Sequence, residues 1–413
     1  MNQAIAIVDI GKTRSKLTLW ARGGKLLAQF DHANAIGAQK PRQLDLRGAG
    51  DWLKGALGEA ARLARIDAIV PVGHGAAGVL MAGETPVCAL DYEAAPPREI
   101  AKAYDALRDP FEATLSPRLA DGLNLGVQLF WLERLHPDVW PKAGGFLLWP
   151  QYWAWFLSGE RASEVTSLGC HSDLWRPREH RFSDLAVSRG WAERLGPLRG
   201  AAEVLGSIRP ALADELGLPS DCRVYCGLHD SNAALHAARG RADLADRPFA
   251  VVSTGTWFVC LAAGGAGPAA YDPSQDMLAN VDVAGQPTPT ARFMGGRDYE
   301  AWMGAALGAA SDPELLREAA ALTDWSRAPG PLRATRAALE LARRTDRALR
   351  LVAAEGPILI EGRFATDEAF AVALARLRPR QAVCRGDMAD GVAMGALRLV
   401  APAPPARPGR VSS

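Results

Sequence analysis

The sequence predicts an α/β protein of two domains, each a mixed sheet with helical crossovers. Its 413 residues are too many for one ordinary hydrophobic core. Short apolar runs closed by tight polar turns alternate with stretches of helical periodicity. A strand, polar turn, strand pattern also occurs twice, around residues 9–15 and 253–256, although the halves share no close sequence repeat. The expected domains are 1–240 and 241–400. Residues 401–413, rich in Pro and small residues, are expected to be a disordered tail.

The elements follow in order. Ala4–Val8 is an apolar strand, 9–15 a polar turn, and Lys16–Trp20 alternates like a half-buried strand. Gly23-Gly24 turns the chain into a third strand, Lys25–Phe30. Helical spacing covers Asp51–Arg65, and Ile66–Val72 is a strand ending at Gly73-His74-Gly75. From Gly122 to Gly159 the chain reads as helical and aromatic. Its tryptophans suit a core, with Trp149 or Trp153 also able to line a sugar. Val224–Cys226 is a strand before Gly227-Leu-His-Asp230 and an Ala-rich helix, Ser231–Ala238. Pro248–Val252 and Trp257–Ala262 are strands around Ser253–Thr256. Gly356–Ile360 and Ala382–Cys384 are strands, and Asp367–Arg378 and Asp390–Val400 are helices.

Composition narrows the function. Forty-seven basic and 46 acidic side chains leave a formal charge of +1, which argues against nucleic acid as the main partner. Six scattered cysteines lack the spacing of a zinc set and read as buried reduced thiols of a cytoplasmic protein. Nothing at the N-terminus resembles a secretion signal, so none is expected. The most apolar stretch, Gly145–Leu157, is broken by Pro150-Gln151 and is too short to span a bilayer.

Three polar turns carry the candidate chemistry. In the first, Gly11 lets the backbone bend, its N–H groups form an anion nest, Thr13 and Ser15 offer hydroxyls, and Lys12 and Lys16 offer charge. Asp9 suits a Mg²⁺ ion held through water. The same residues also suit an ordinary hairpin. In the second, Asp230 sits between a strand end and a helix start. It is placed as a general base, or equally as a helix cap. In the third, Thr254, Gly255 and Thr256 suit phosphate oxygens or a hairpin turn. The P-loop pattern is absent.

In order and spacing these turns resemble the FGGY family of carbohydrate kinases, within the actin-like ATPase superfamily. DIGKTRSK matches that family's first phosphate turn at Asp9, Gly11, Thr13 and Ser15, with Lys16 for Arg. GLHDSNAAL matches its catalytic aspartate, and STGTW its second phosphate turn. Glu361-Gly-Arg resembles the adenosine segment, and ADGVAMGALRL the closing helix. The resemblance covers about residues 4 to 400. The segments around His229-Asp230, Thr254–Trp257, Leu123–Leu129 and Leu148–Tyr152 are most like rhamnulokinases and L-fuculokinases.

The resemblance implies a two-domain actin-like (ribonuclease H-like) fold closing over a cleft. The N-terminal domain would bind sugar and the C-terminal domain nucleotide, with ATP and Mg²⁺ as cofactors. It implies phosphorylation of a sugar hydroxyl, O1 of a ketose such as L-fuculose or L-rhamnulose, with Asp230 as base. The implied nucleotide residues are Gly11, Lys12, Thr13, Ser15, Lys16, Thr254, Gly255, Thr256, Gly295, Gly362, Arg363 and Asp367. The implied sugar residues are His74, Gly75, Asn124, Gln128, Glu164, His229 and Asp230. Asp9 is the implied metal residue. The resemblance allows a homodimer, but the sequence carries no interface signature and does not fix the oligomeric state. Lys12, Arg14 and Arg363 depart from the family's small residues, which leaves open another phosphoryl donor or a non-catalytic sensor on the same scaffold.

Overall fold

The computed structural model describes residues 3–35, 37, 39–142, 145–386, 391–401 and 409–410. They group into two compact units. One is Met1–Ala237, Ala279–Pro287 and Asp390–Pro404; the other is Ala238–Leu278, Thr288–Ala389 and Pro405–Ser413.

The first unit runs through β1 (Gln3–Ile10), β2 (Arg14–Ala21), β3 (Leu26–Ala33), α1 (Leu46–Ala61), β4 (Arg65–Gly73), β5 (Gly78–Ala82), β6 (Thr85–Cys88), α2 (Arg98–Asp105), α3 (Phe111–Thr114), α4 (Leu125–Leu135), β7 (Gly145–Leu148), α5 (Trp149–Ser158) and α6 (Val165–Leu168). It continues through β8 (Trp175–Arg176), β9 (Arg181–Phe182), α7 (Asp184–Ser188), α8 (Trp191–Arg194), β10 (Val204–Ser207), α9 (Pro210–Leu216), β11 (Arg223–Tyr225), β12 (Leu228–His229) and α10 (Asp230–Arg239). Its main sheet has the order β10-β11-β4-β1-β2-β3, with β12 also paired to β4. β1 runs parallel to β4, and β11 and β12 do too, while β1, β2 and β3 are antiparallel neighbours.

Side-chain alternation in β1 explains why this sheet is covered on both faces. Ala4, Ala6, Val8 and Ile10 pack with Leu53 and Leu57 of α1, Trp153 of α5 and Leu212 of α9. Ile5 and Ile7 point the other way, into a cluster with Val70, Ala393 and Leu397. α1 begins five residues earlier than its spacing suggests, because Asp45 caps it by accepting the Gly48 N–H at 2.9 Å. The stretch expected to be helical from Gly122 to Gly159 is interrupted by β7, whose four residues are all buried and pair with β5. A short apolar run buried on both sides carries no periodicity to distinguish it from helix.

The chain continues through β13 (Phe249–Thr254), β14 (Phe258–Ala263), β15 (Met277–Val281), β16 (Pro287–Phe293), α11 (Gly295–Met303), α12 (Leu316–Ala321), α13 (Gly330–Leu351), β17 (Ile358–Gly362), α14 (Glu368–Leu377) and β18 (Val383–Arg385), all in the second unit save Ala279–Val281 of β15 and Pro287 of β16. The chain then forms α15 (Gly391–Val400) and β19 (Gly409–Arg410). The second sheet has the order β15-β16-β14-β13-β17-β18-β19. Its centre repeats the plan of the first: an antiparallel hairpin, β13 and β14, beside a parallel strand, β17.

The units part at 237/238, near the expected 240. Two later segments, 279–287 and 390–404, group with the first unit rather than with 241–400. Packing explains both. Val281 is buried in the cluster that holds Leu168, and Ala393, Ala396 and Leu397 of α15 are buried against Ile5 and Val70. Of the expected tail, Gly409–Arg410 pairs antiparallel with Cys384–Arg385. The tail's residues 402–408 and 411–413 lie outside the described residues, as do Ala389 and Asp390 at the start of the expected closing helix. All six cysteines are buried and unbridged. No described helix is long and apolar enough to cross a membrane.

Candidate active site

Parallel pairing brings three loop starts to one edge of the first sheet. Ile10 pairs with Gly73, and Gly73 with His229. The residues that follow, Gly11, His74 and Asp230, therefore leave the carboxyl ends of neighbouring strands. Open α/β sheets bind ligands outside such ends.

Asp230 opens α10, with its side chain about one-third exposed. Its Oδ1 lies 3.1 Å from Nε2 of His229 and accepts the N–H of Ser231. Burial raises the Asp230 carboxyl, but the adjoining His229, then His74 and the Ser231 N–H, hold it below the ordinary value. Burial in turn disfavours the His229 cation. Cys170 and Asp230 outweigh that and hold the imidazole charged well above its usual range.

His229 is fixed from every side. Its N–H donates to Thr166 Oγ1 at 3.0 Å, Nδ1 meets Asn232 Nδ2 at 3.1 Å, and Nε2 faces Cys170 Sγ at 3.5 Å. Gly75 makes this packing possible, since a Cβ there would lie 2.4 Å from Cys170 Sγ and 3.0 Å from His229 Nε2. His74 is 8% exposed, with Nδ1 on the Gly75 carbonyl at 2.8 Å and Nε2 buried without a protein partner. Its ring packs against Tyr92 and Trp149. Burial lowers its pKa, which disfavours the charged ring.

The other expected sugar residues do internal work. Asn124 is fully buried. Its amide donates to Ser116, Pro117, His171 and Asp173, and its oxygen accepts from Leu119. Gln128 donates to the carbonyls of Ala76 and Gly122 at 2.6 Å each, tying down the segment after His74-Gly75. Glu164 caps α6 by accepting the N–H groups of Thr166 and Ser167 and the Thr166 hydroxyl. That hydroxyl holds the His229 N–H, so Glu164 supports the Asp230 loop from behind. Burial pushes the Glu164 carboxyl up to about 7.

The first polar turn is braced by a residue the sequence did not single out. Asn34 donates to the Gly11 carbonyl at 2.7 Å, accepts from Ser15 Oγ at 2.8 Å, and gives its N–H to the Thr13 carbonyl. Gly11 N–H closes the turn on Arg14 O. The Ser15 hydroxyl thus faces inward, while Thr13 is exposed. Lys12 is 8% exposed at its side chain. Its Nζ lies 3.0 Å from Asp91 and 2.7 Å from Glu93, and 4.4 Å above the Tyr92 ring. Its charge is thereby committed to two carboxylates. Asp9, partly buried, sits in register with Lys16 on one side and Val72 on the other.

In the second unit Thr254 pairs with Gly362 across the parallel strands β13 and β17. The Thr254 hydroxyl donates to Glu361 O and accepts the Phe364 N–H at 2.9 Å, so it knits the two turns together. Gly362 has φ +82°, and a Cβ there would lie 2.4 Å from Thr254 O, so the close approach of these turns needs glycine. Gly295 starts α11, and the Gly296 N–H reaches Thr256 O at 3.1 Å. Gly255 and Thr256 are exposed beside this helix start. Arg363 is held by Glu300 at 2.8 Å and lies over the Tyr299 ring at 5.4 Å. Asp367 caps α14 through the Phe370 N–H and accepts from Ser311.

Among the described residues no group of three or more His, Cys, Asp or Glu side chains forms a metal cluster. A single carboxylate at Asp9, before the first polar turn, fits a Mg²⁺ ion held mainly by other oxygens rather than a resident metal. Cys170 was legible in sequence only as an inert buried thiol. Only the fold brings it to His229.

A family model for the C-terminal domain of FGGY carbohydrate kinases matches residues 246–324 and 317–408. The crystal structure of a carbohydrate kinase from Novosphingobium aromaticivorans is 40% identical, with a TM-score of 0.89 over 99% of this chain and 94% of that one. Among curated proteins, a rhamnulokinase of Halalkalibacterium halodurans is 26% identical over 131 residues, which are 32% of this chain and 27% of the relative. An L-fuculokinase of Escherichia coli is 29% identical over 144 residues, 34% of this chain and 29% of the relative. The chain thus spans less than a third of the length of these curated relatives. On the near-complete match, this chain has the actin-like ATPase fold and belongs to the FGGY family of carbohydrate kinases.

Proposed function

We propose that the protein transfers the γ-phosphoryl group of ATP to a hydroxyl of a ketose, O1 of a sugar such as L-fuculose or L-rhamnulose. The observation that carries this is Asp230, a partly exposed carboxylate at the carboxyl ends of parallel strands, kept ionised by His229. An ionised carboxylate can take the hydroxyl proton as the oxygen attacks phosphorus. His74 Nε2, buried without a protein partner, is the group best suited to bind a sugar hydroxyl. Asn124, Gln128 and Glu164 act behind it as supports. Exposed Gly255 and Thr256, beside the start of α11 at the buried Gly295, suit phosphate, and Gly362 and Arg363 suit the adenosine. Asp9 would hold Mg²⁺, and the ion would supply charge neutralisation at the phosphate oxygens. The relatives named for rhamnulose and fuculose support the ketose assignment.

A second reading, a different phosphoryl donor, is favoured by Lys12, whose charge is held by Asp91 and Glu93 rather than offered to phosphate. Both readings are tested by measuring sugar-dependent nucleoside diphosphate release across a panel of ketoses and donors. Release from Mg·ATP with one ketose supports the first, release only with another donor supports the second, and release without sugar contradicts both.

A further inference from the structure

The reaction above makes no use of a buried thiol that lies against His229. Cys170 lies in the loop after α6 and is 3% exposed. Its Sγ is 3.5 Å from His229 Nε2, and that nitrogen is 3.1 Å from Asp230 Oδ1. The other ring nitrogen faces Asn232 Nδ2 at 3.1 Å. With Nδ1 accepting from the amide, Nε2 carries the proton, so one N–H faces two acceptors, a sulfur and a carboxylate. Asn232 Oδ1 is buried without a partner. Turning the amide over would offer that oxygen to a protonated Nδ1, so the same residue also serves the imidazolium. The missing side chain at Gly75 leaves sulfur and imidazole in direct contact beneath the strand end.

We propose that Cys170 is a positioning residue for the kinase reaction: its sulfur is the second acceptor for the Nε2 proton of His229, so that thiolate and Asp230 share one imidazolium. The inference rests on Asp230 as the base. The proton lost by the thiol resides on the imidazole, so the pair stays neutral and no oxidant or further reactant is involved. The charged form of His229 then keeps Asp230 ionised while its ring is held away from the carboxylate oxygen left for the sugar.

The groups facing this pair come from several elements. His171 adjoins Cys170, His74 comes from the end of β4, Asp230 and Asn232 from α10, and Glu164 from the cap of α6. Burial pushes the Cys170 thiol up, but His171 and His229 bring it down to about 5. Burial alone carries Cys88 and Cys260 up to about 12. Cys170 is therefore spectroscopically separable from these thiols.

Two measurements on the full chain test the proposal. The first is the pH titration of thiolate ultraviolet absorbance in wild type minus Cys170→Ser. The second is the pH profile of kcat/KM for wild type, Cys170→Ser and Cys170→Ala with the ketose that is turned over. The expected results are a thiolate that titrates in the acid range and is absent from the variant, and an acid limb displaced upward by about one pH unit in both variants, the size expected when a carboxylate loses an adjacent cation. A thiol that stays protonated into the alkaline range overturns the proposal. So does an acid limb that stays in place while the rate merely falls, which is what a packing role would give. If Asp230→Asn keeps its activity, the base assignment fails instead, and the absorbance titration in wild type and His229→Gln still decides whether the Cys170 thiolate depends on His229.

Discussion

Replacing Glu164 by Gln should change how the stability of the first unit depends on pH. Glu164 is fully buried, accepts three hydrogen bonds through one oxygen, and has its other oxygen buried without a partner. Burial dominates those bonds and lifts its pKa from 4.5 to about 7. The folded state therefore binds more protons than the unfolded chain between those values. The contribution is fully present below pH 4.5 and is lost as pH rises through 7. At about 1.4 kcal/mol per pH unit, the difference amounts to about 3 kcal/mol. The amide of the Glu164→Gln variant cannot ionise, yet its carbonyl still accepts from Thr166. Thermal denaturation of both proteins at pH 5 and pH 8 should show wild type losing about 6 °C more than the variant over this interval. Parallel pH profiles would refute the buried, proton-binding role assigned to Glu164.

Two further predictions follow from side chains whose structural work differs from the phosphate contacts expected of them. Lys12→Met removes one of the two cations flanking the 1%-exposed Asp91, the other being Arg42 at 2.8 Å, and should destabilise the first unit by about 3 kcal/mol. Adding Asp91→Asn should recover most of the loss in urea denaturation; no recovery would show that the ion pair is not its cause. Thr254→Val leaves the Phe364 N–H and the Glu361 carbonyl without their shared hydroxyl, costing about 1–3 kcal/mol and raising the KM for nucleotide, whereas Thr254→Ser should keep both near wild type. Equal behaviour of Val and Ser would contradict that bridge.

Much of this architecture was legible from periodicity. β1, β2, β4 and β13 announce themselves as short apolar or alternating runs closed by polar turns, and Asp230 is visible between a strand and an Ala-rich helix. Strand register then does what sequence cannot, setting Ile10, Gly73 and His229 side by side. Where spacing failed, the reason was burial on all sides, as in β7, which has no polar face to mark its period. Site residues divided in the same way. Asn124 and Gln128 have the chemistry of sugar ligands, but the Asn124 amide and the Gln128 Nε2 are spent on buried backbone carbonyls, leaving only the Gln128 Oε1 without a partner. Asn34 gave no signal because its partners lie 19 or more residues away in sequence, and Cys170 gave none because His229, its partner at the site, lies 59 residues away. The return of 279–287 and 390–404 to the first unit is likewise a packing result, set by Val281 and the small face of α15.

The most direct test of the whole account is ADP release from Mg·ATP with the preferred ketose, measured beside sugar binding, in wild type and Asp230→Asn. Asn preserves the shape of Asp230 but cannot take the hydroxyl proton. The variant should bind sugar with similar affinity and lose roughly 10²–10⁴-fold in turnover. A variant that turns over within about tenfold of wild type would remove Asp230 from the role of base, and with it the account of His229 and the strand-end site built around that carboxylate.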